Sequence, residues 1–125
     1  MEENAVARAV VRSAMRIHTA LGPGLLESVY EACVEYELLT ERLAVERQVA
    51  IPVRYKGVTM QAGYRLDLLI AGKVVVEVKA VENLLPIHRA QVLSYLRLGG
   101  YKLGLLLNFN TVHMRDGIKR VVNGL

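Results

Sequence analysis

Asp67, Glu77 and Lys79 are the residues whose types and spacing could do chemistry. They lie in YRLDLLIAGKVVVEVKAVE, residues 64–82, among Val, Leu and Ile that read as the middle of a sheet. Charged groups are costly to bury unless they are paired or bind an ion. Side chains two apart on a strand point the same way, so Glu77 and Lys79 share one face and Val74, Val76 and Val78 take the other. Two carboxylates brought close repel, so one takes up a proton or a cation bridges both. Hard oxygen ligands at an open site suit Mg²⁺ or Mn²⁺. An ammonium group two residues on could hold a water or balance charge. Together they would supply an activated water and stabilise charge developing on phosphate oxygens, the needs of phosphodiester hydrolysis. The plainer alternative is a salt-bridge cluster on an exposed sheet face.

Whether Asp67 joins the other two depends on strand register. A two-residue turn pairs Ile70 with Lys73 and puts Asp67 opposite Val76, on the wrong face. A three-residue loop, Ala71-Gly72-Lys73, pairs Ile70 with Val74 and Asp67 with Glu77, with Cα atoms ~4.5–5.5 Å apart. Such loops want a residue at positive φ, and Gly72 can supply it. This second register is the expected one.

The elements around this hairpin follow from periodicity. Asn4 to about Leu21 reads as a helix, with Val6, Val10, Ile17 and Leu21 on one side. Arg8, Arg12 and Arg16 form a basic stripe, read as a solvated face in preference to a phosphate track. Gly22-Pro23-Gly24 breaks the chain before a second helix, about Leu25 to Arg42. The Gly22-x-Gly24 start of a dinucleotide loop fails its context, because a helix precedes it. From Val45 the period becomes two. Val45, Val49, Ile51, Val53 and Tyr55 are expected on one face, and Pro52 marks an edge strand. Lys56-Gly57 turns into a second strand, Val58 to Ile70, with Met60, Ala62, Tyr64, Leu66 and Leu68 on one face. Val74 to Ala80 is the third strand. Pro86 opens a helix that ends at Gly99-Gly100. Leu103 to Phe109 reads as a strand covered on both faces, parallel to its neighbour. Met114 to Ile118 reads as a hairpin turn, or a short helix, into a last strand at Ile118 to Val122. The order is α-α-β-β-β-α-β-(β), an α/β mixed sheet with helices on it.

Composition sets limits. With 125 residues, 53% hydrophobic and 22% charged, the chain is expected to form one domain with a real core. A net charge of +4 permits a nucleic-acid partner without demanding one. Cys33 is the single cysteine. That excludes an intrachain disulfide and a Cys/His zinc site, and Cys33 reads as a small buried hydrophobe. No signal peptide or membrane-spanning run is visible, so no membrane partner and a cytoplasmic location are expected. No Ser/His/Asp or Cys/His set points to covalent catalysis, and His18 and His113 carry no recognisable spacing.

Asp67, nine intervening residues and then Glu77-Val78-Lys79 resemble the D…ExK signature of the PD-(D/E)xK nuclease superfamily. The restriction-endonuclease-like αβββαβ core of that superfamily matches the order above, with an extra N-terminal helix. Gly24-Leu25-Leu26-Glu27-Ser28-Val29-Tyr30 resembles the pattern of the GxxExxY family within it. The likeness runs from about Val6 to Val122. Leu66 stands where the superfamily loosely keeps a Pro before the Asp.

The resemblance implies roles. Asp67 and Glu77 would bind Mg²⁺ or Mn²⁺, with the carbonyl of Val78 as a further ligand. Lys79 would position and activate water. Glu27 would look onto the metal site; its other reading is a first-turn carboxylate favoured by the helix dipole. Tyr30 would pack and brace Glu27. Gln91 and Tyr95, four apart, resemble the QxxxY element of RecB-like nucleases, and with Arg89 and His88 they are the expected nucleic-acid contacts. The competing reading turns Ile87, Ala90, Leu93 and Leu96 to the core, leaves Gln91 and Tyr95 in solvent and makes His88 structural. The implied function is a metal-dependent nuclease acting on DNA ahead of RNA, in a homodimer or a larger complex because so small a domain lacks room for a sequence-reading module. Its rivals are a catalytically silent nucleic-acid-binding or assembly module and a phosphoesterase on small substrates.

Overall fold

The computed structural model describes all 125 residues. Helix α1 spans Glu3–Leu21 and buries Val6, Val10, Ser13, Ala14 and Ile17, a stripe spaced by three and four. It stops at Gly22, whose φ of 67° lets its N–H reach the His18 carbonyl at 2.8 Å. Helix α2 spans Glu27–Thr40, shorter than its periodicity suggested at both ends. The cause at its start is Tyr30. Its hydroxyl donates to the Gly22 carbonyl at 2.6 Å and accepts from Leu25 N–H at 3.1 Å, holding residues 22–25 out of the helix. The buried Tyr30 ring stacks on Phe109 with centroids 4.4 Å apart.

Strands β1 (Val45–Tyr55), β2 (Val58–Ile70) and β3 (Val74–Lys79) form an antiparallel meander. Helix α3 (Pro86–Gly99) crosses over to β4 (Leu103–Asn108), which runs parallel to β3. A 3₁₀ turn at Met114–Gly117 leads into β5 (Ile118–Val122), antiparallel to β4. The sheet order is β1-β2-β3-β4-β5. Strand β1 is an edge, and Pro52 sits at its register shift, where a missing N–H costs no ladder bond. Strand β4 is buried along its whole length, as its unbroken apolar run requires. This is a restriction-endonuclease-like arrangement, with helices on both faces of a mixed sheet.

Helices α1 and α2 cover one face, burying Leu68, Ile70, Val74, Val76, Val78 and alternate β4 residues. Helix α3 covers the other, over Leu66, Leu69, Val75 and Leu106. Gly104 lets α3 settle onto β4, since an added Cβ would lie 2.7 Å from the Val92 side chain and 3.3 Å from that of Leu96. Accordingly Val92 and Leu96 are the buried residues of α3 and Leu93 packs beside them, while Ile87 and Ala90 are exposed, so the competing Ile87-Ala90-Leu93-Leu96 stripe holds only in its second half.

The face assignments along β1 and β2 also need correction. Val45 and Leu68 pack under α1 and α2, whereas Val49, Ile51 and Leu66 pack under α3. Gln48 causes the switch. Its φ of 53° reverses the pleat, and the ladder omits Gln48 and Asp67 while keeping register on either side, at Arg47 with Leu68 and Val49 with Leu66. No helix is long and apolar enough to cross a membrane.

Candidate active site

The β2–β3 connection has the three-residue register: Ile70 pairs with Val74 and Leu68 with Val76. Ala71 joins Gly72 at positive φ, at 53° and 65°, and Lys73 N–H closes the turn on the Ile70 carbonyl at 3.0 Å. One step beyond Leu68 the regular ladder ends and the two carboxylates replace it. Glu77 Oε2 accepts from Asp67 N–H at 2.7 Å, and Asp67 Oδ2 accepts from Val78 N–H at 2.8 Å. Each acid therefore clasps the opposite strand's main chain. Asp67 Oδ1 and Glu77 Oε1 are left without a protein donor.

Burial dominates the electrostatics. It pushes the Glu77 carboxyl up to about 8, with repulsion from Asp67 adding to it. Asp67 is also raised, first by burial and then by the charge of Glu31, against the pull of the Val78 hydrogen bond and Lys79. Lys79 is half-buried and forms no ion pair with either acid, although its charge lowers both. The three residues are thus not the salt-bridge cluster that spacing alone allowed. Its strand end is pinned by Phe109 N–H on the Lys79 carbonyl at 3.0 Å and by the buried Asn108 amide. That amide accepts from Val81 N–H at 3.1 Å and donates to the Val81 carbonyl at 2.9 Å.

Glu27, in the first turn of α2, accepts from Ala80 N–H at 3.0 Å, one residue past Lys79. No three His, Cys, Asp or Glu side chains meet closely enough to hold an ion by themselves. The pair Asp67 and Glu77 nevertheless fits a hard divalent cation: each acid keeps one oxygen without a protein donor, and Mg²⁺ needs only one or two carboxylates beside water.

Gln91 and Tyr95 line a cavity of about 310 Å³ together with Tyr64, Ile87 and Ser94. The Tyr95 phenol is raised first by burial, then by the charges of Glu77, Tyr64 and Asp67. Glu77 alternates with the same strand face as Val75, the face that α3 covers. His88 caps α3, its Nδ1 accepting from Leu85 N–H at 2.9 Å. Arg89 turns to β5, donating to the Arg120 carbonyl at 3.2 Å, two strands away from Glu77. Arg12 and Arg16 of the basic stripe pair with Glu37 of α2 and with Glu41 just past its end. Half-buried Cys33 lines a separate groove of about 380 Å³ between α1 and α2.

Two contributors escaped the sequence. Glu31 is buried and accepts from Gln48 Nε2 at 2.9 Å and Arg47 Nε at 3.4 Å, while its charge raises both site acids. Its position four residues after Glu27, on the same helix face, was the available signal. Tyr64, whose ring lies 6.1 Å from that of Tyr95, carried no signal except its place three residues before Asp67.

A family profile described as the PD-(D/E)XK nuclease superfamily matches residues 4–121. No curated protein and no solved structure matches. Given that coverage, and helices and sheet ordered as the restriction-endonuclease-like fold requires, the chain belongs to the PD-(D/E)XK nuclease superfamily.

Proposed function

We propose that this chain is an Mg²⁺- or Mn²⁺-dependent nuclease of the GxxExxY type that hydrolyses DNA phosphodiester bonds. The observation that carries the reading is the reciprocal clasp of Asp67 and Glu77 beside an ammonium group with no ion-pair partner. Asp67 and Glu77, with the Val78 carbonyl, would hold the cation, and Glu27 would reach it through water. Once bound there, the cation would supply an activated water and neutralise charge on the phosphate. Lys79 would orient a water and offset the charge that grows on the phosphate oxygen. Gln91 and Tyr95 border the path of the strand. A binding-only protein gains little from carboxylates that face phosphates.

The test is cleavage of single- and double-stranded DNA, circular and linear, in Mn²⁺, Mg²⁺ or EDTA. Cleavage is expected with either metal and not in EDTA. Asp67→Ala and Lys79→Ala should each lower the rate by about 100- to 1,000-fold, the scale for losing one charge-stabilising group. Equal cleavage by wild type and variants would trace the activity to a contaminant. No cleavage of any DNA or RNA would leave the binding module, and hydrolysis confined to small phosphodiesters would leave the phosphoesterase.

A further inference from the structure

The geometry points to a nucleobase-stacking site on Tyr64, which would make a single strand with unstacked bases the preferred substrate of the proposed nuclease. The inference rests on that reading for the word substrate, but not for the binding itself.

Residues 58–65 of β2 are exposed throughout, so the β1–β2 hairpin extends past the helices that cover the sheet. Tyr64 stands where this bare ribbon meets the core, opposite the buried Ile51 and 48% exposed. Its ring meets Tyr95 at a tilt of 49°. At a centroid separation of 6.1 Å the two rings already touch, so a third ring cannot enter between them. A base would instead lie on the free face of Tyr64, with Tyr95 as the back wall. Ile87, Ala90 and Leu98 make the rest of the cavity apolar, while Gln91 and Ser94 offer hydrogen bonds to a base edge. The cavity volume of about 310 Å³ falls at the small end of ligand pockets, near ~300 Å³.

Charge selects the occupant. From Arg47 to Leu66 there is no acidic residue, while Arg54, Lys56 and Arg65 lie on the projecting hairpin. Arg47 is already engaged by Glu31 and Glu35. A positive ribbon leading to an aromatic wall suits a polyanion whose heterocycles have free π-faces. Duplex DNA hides those faces in its own stack, whereas a single strand presents them. Tyr64 stands three residues before Asp67 on β2, about 10 Å along the strand, and Glu77 shares with Val75 the sheet face under α3, so a base held there sets a neighbouring phosphate toward the acids.

The experiment is binding in EDTA, read by fluorescence anisotropy. The probes are a labelled oligothymidylate, an abasic oligomer of the same length and a duplex. The wild type should bind the oligothymidylate most tightly. Tyr64→Ala should weaken that binding by about five- to one-hundred-fold, the scale for one base–aromatic stack, and leave the abasic oligomer unchanged. Tyr64→Phe keeps the ring and should restore it. The chain has no Trp, so quenching of Tyr emission by the oligomer, lost in Tyr64→Ala, is a second readout. Equal affinity of the wild type for thymidylate and abasic oligomers would overturn the proposal. So would equal weakening of both by Tyr64→Ala, or a stable dimer in which Tyr64 is covered. Base-dependent binding without any cleavage would sink the nuclease reading and keep this one; cleavage without base dependence would do the reverse.

Discussion

Between the sheet and helices α1 and α2 lies a cluster of 19 buried residues, from Val6 and Tyr30 to Leu107 and Phe109. Between the sheet and α3 the corresponding cluster holds 8, and the groups beside it are Tyr64, Tyr95, Gln91 and Glu77. The first layer is thick; the second is thin and lies on the sheet face that carries Glu77. A buried pair of acids with no salt-bridge partner can be tolerated only where packing elsewhere supplies the stability it costs. The unequal layers divide those two tasks.

The division predicts unequal responses to truncation. Leu107→Ala, in the thick layer, should lower stability by about 2–5 kcal/mol. Val92→Ala, under α3, should cost about 1–2 kcal/mol, because a valine in the thinner layer gives up less apolar surface. Urea denaturation of the two variants checks this, and equal losses would mean that both layers carry the fold alike.

A next effect sets acid against packing. Glu77 is raised from the ordinary carboxylate range to about 8 by burial and by Asp67. The folded chain therefore holds a proton that the unfolded chain releases. Its contribution is fully present below about pH 4.5 and is lost as pH rises through about 8. Metal-free protein should lose stability on the order of a few kcal/mol across that window. Glu77→Gln should flatten the profile, and Mn²⁺ at pH 8 should restore what the wild type has lost. Thermal melts at several pH values decide it; a wild-type profile as flat as that of Glu77→Gln would refute a raised Glu77.

Smaller still is Tyr30→Phe, which keeps the stack on Phe109 and removes the hydroxyl that ties Gly22 to Leu25. About 1–2 kcal/mol of stability should go. The cleavage rate should fall as well, because the loop so tied leads into Glu27 and its bond to Ala80. An unchanged rate would show that the thick layer does not reach into the chemistry.

Much of this was legible in the residues. The bounds of β1 and β2 follow from period two and from Lys56-Gly57. Counting residues around Gly72 recovered the register that joins Asp67 to Glu77. What stayed hidden had no composition to announce it. Gln48 adopts a positive φ that Gly or Asn usually supplies, so the switch of faces at Asp67 leaves no mark on the pattern of Val and Leu. Glu31 looks like any helix-surface glutamate until Arg47 and Gln48 are folded beside it. Spacing left two orientations of α3 open, because what selects its inward face is an absent side chain on another element, Gly104.

That glycine has a mechanical meaning. It sits two residues into a strand that carries neither acid nor amine, yet it sets the depth to which α3 sinks. A single methyl there would act as a shim against Val92 and Leu96, lifting the helix that carries Tyr95 and Gln91 away from the sheet. The reach of such a centre can thus be adjusted from a position with no functional group at all.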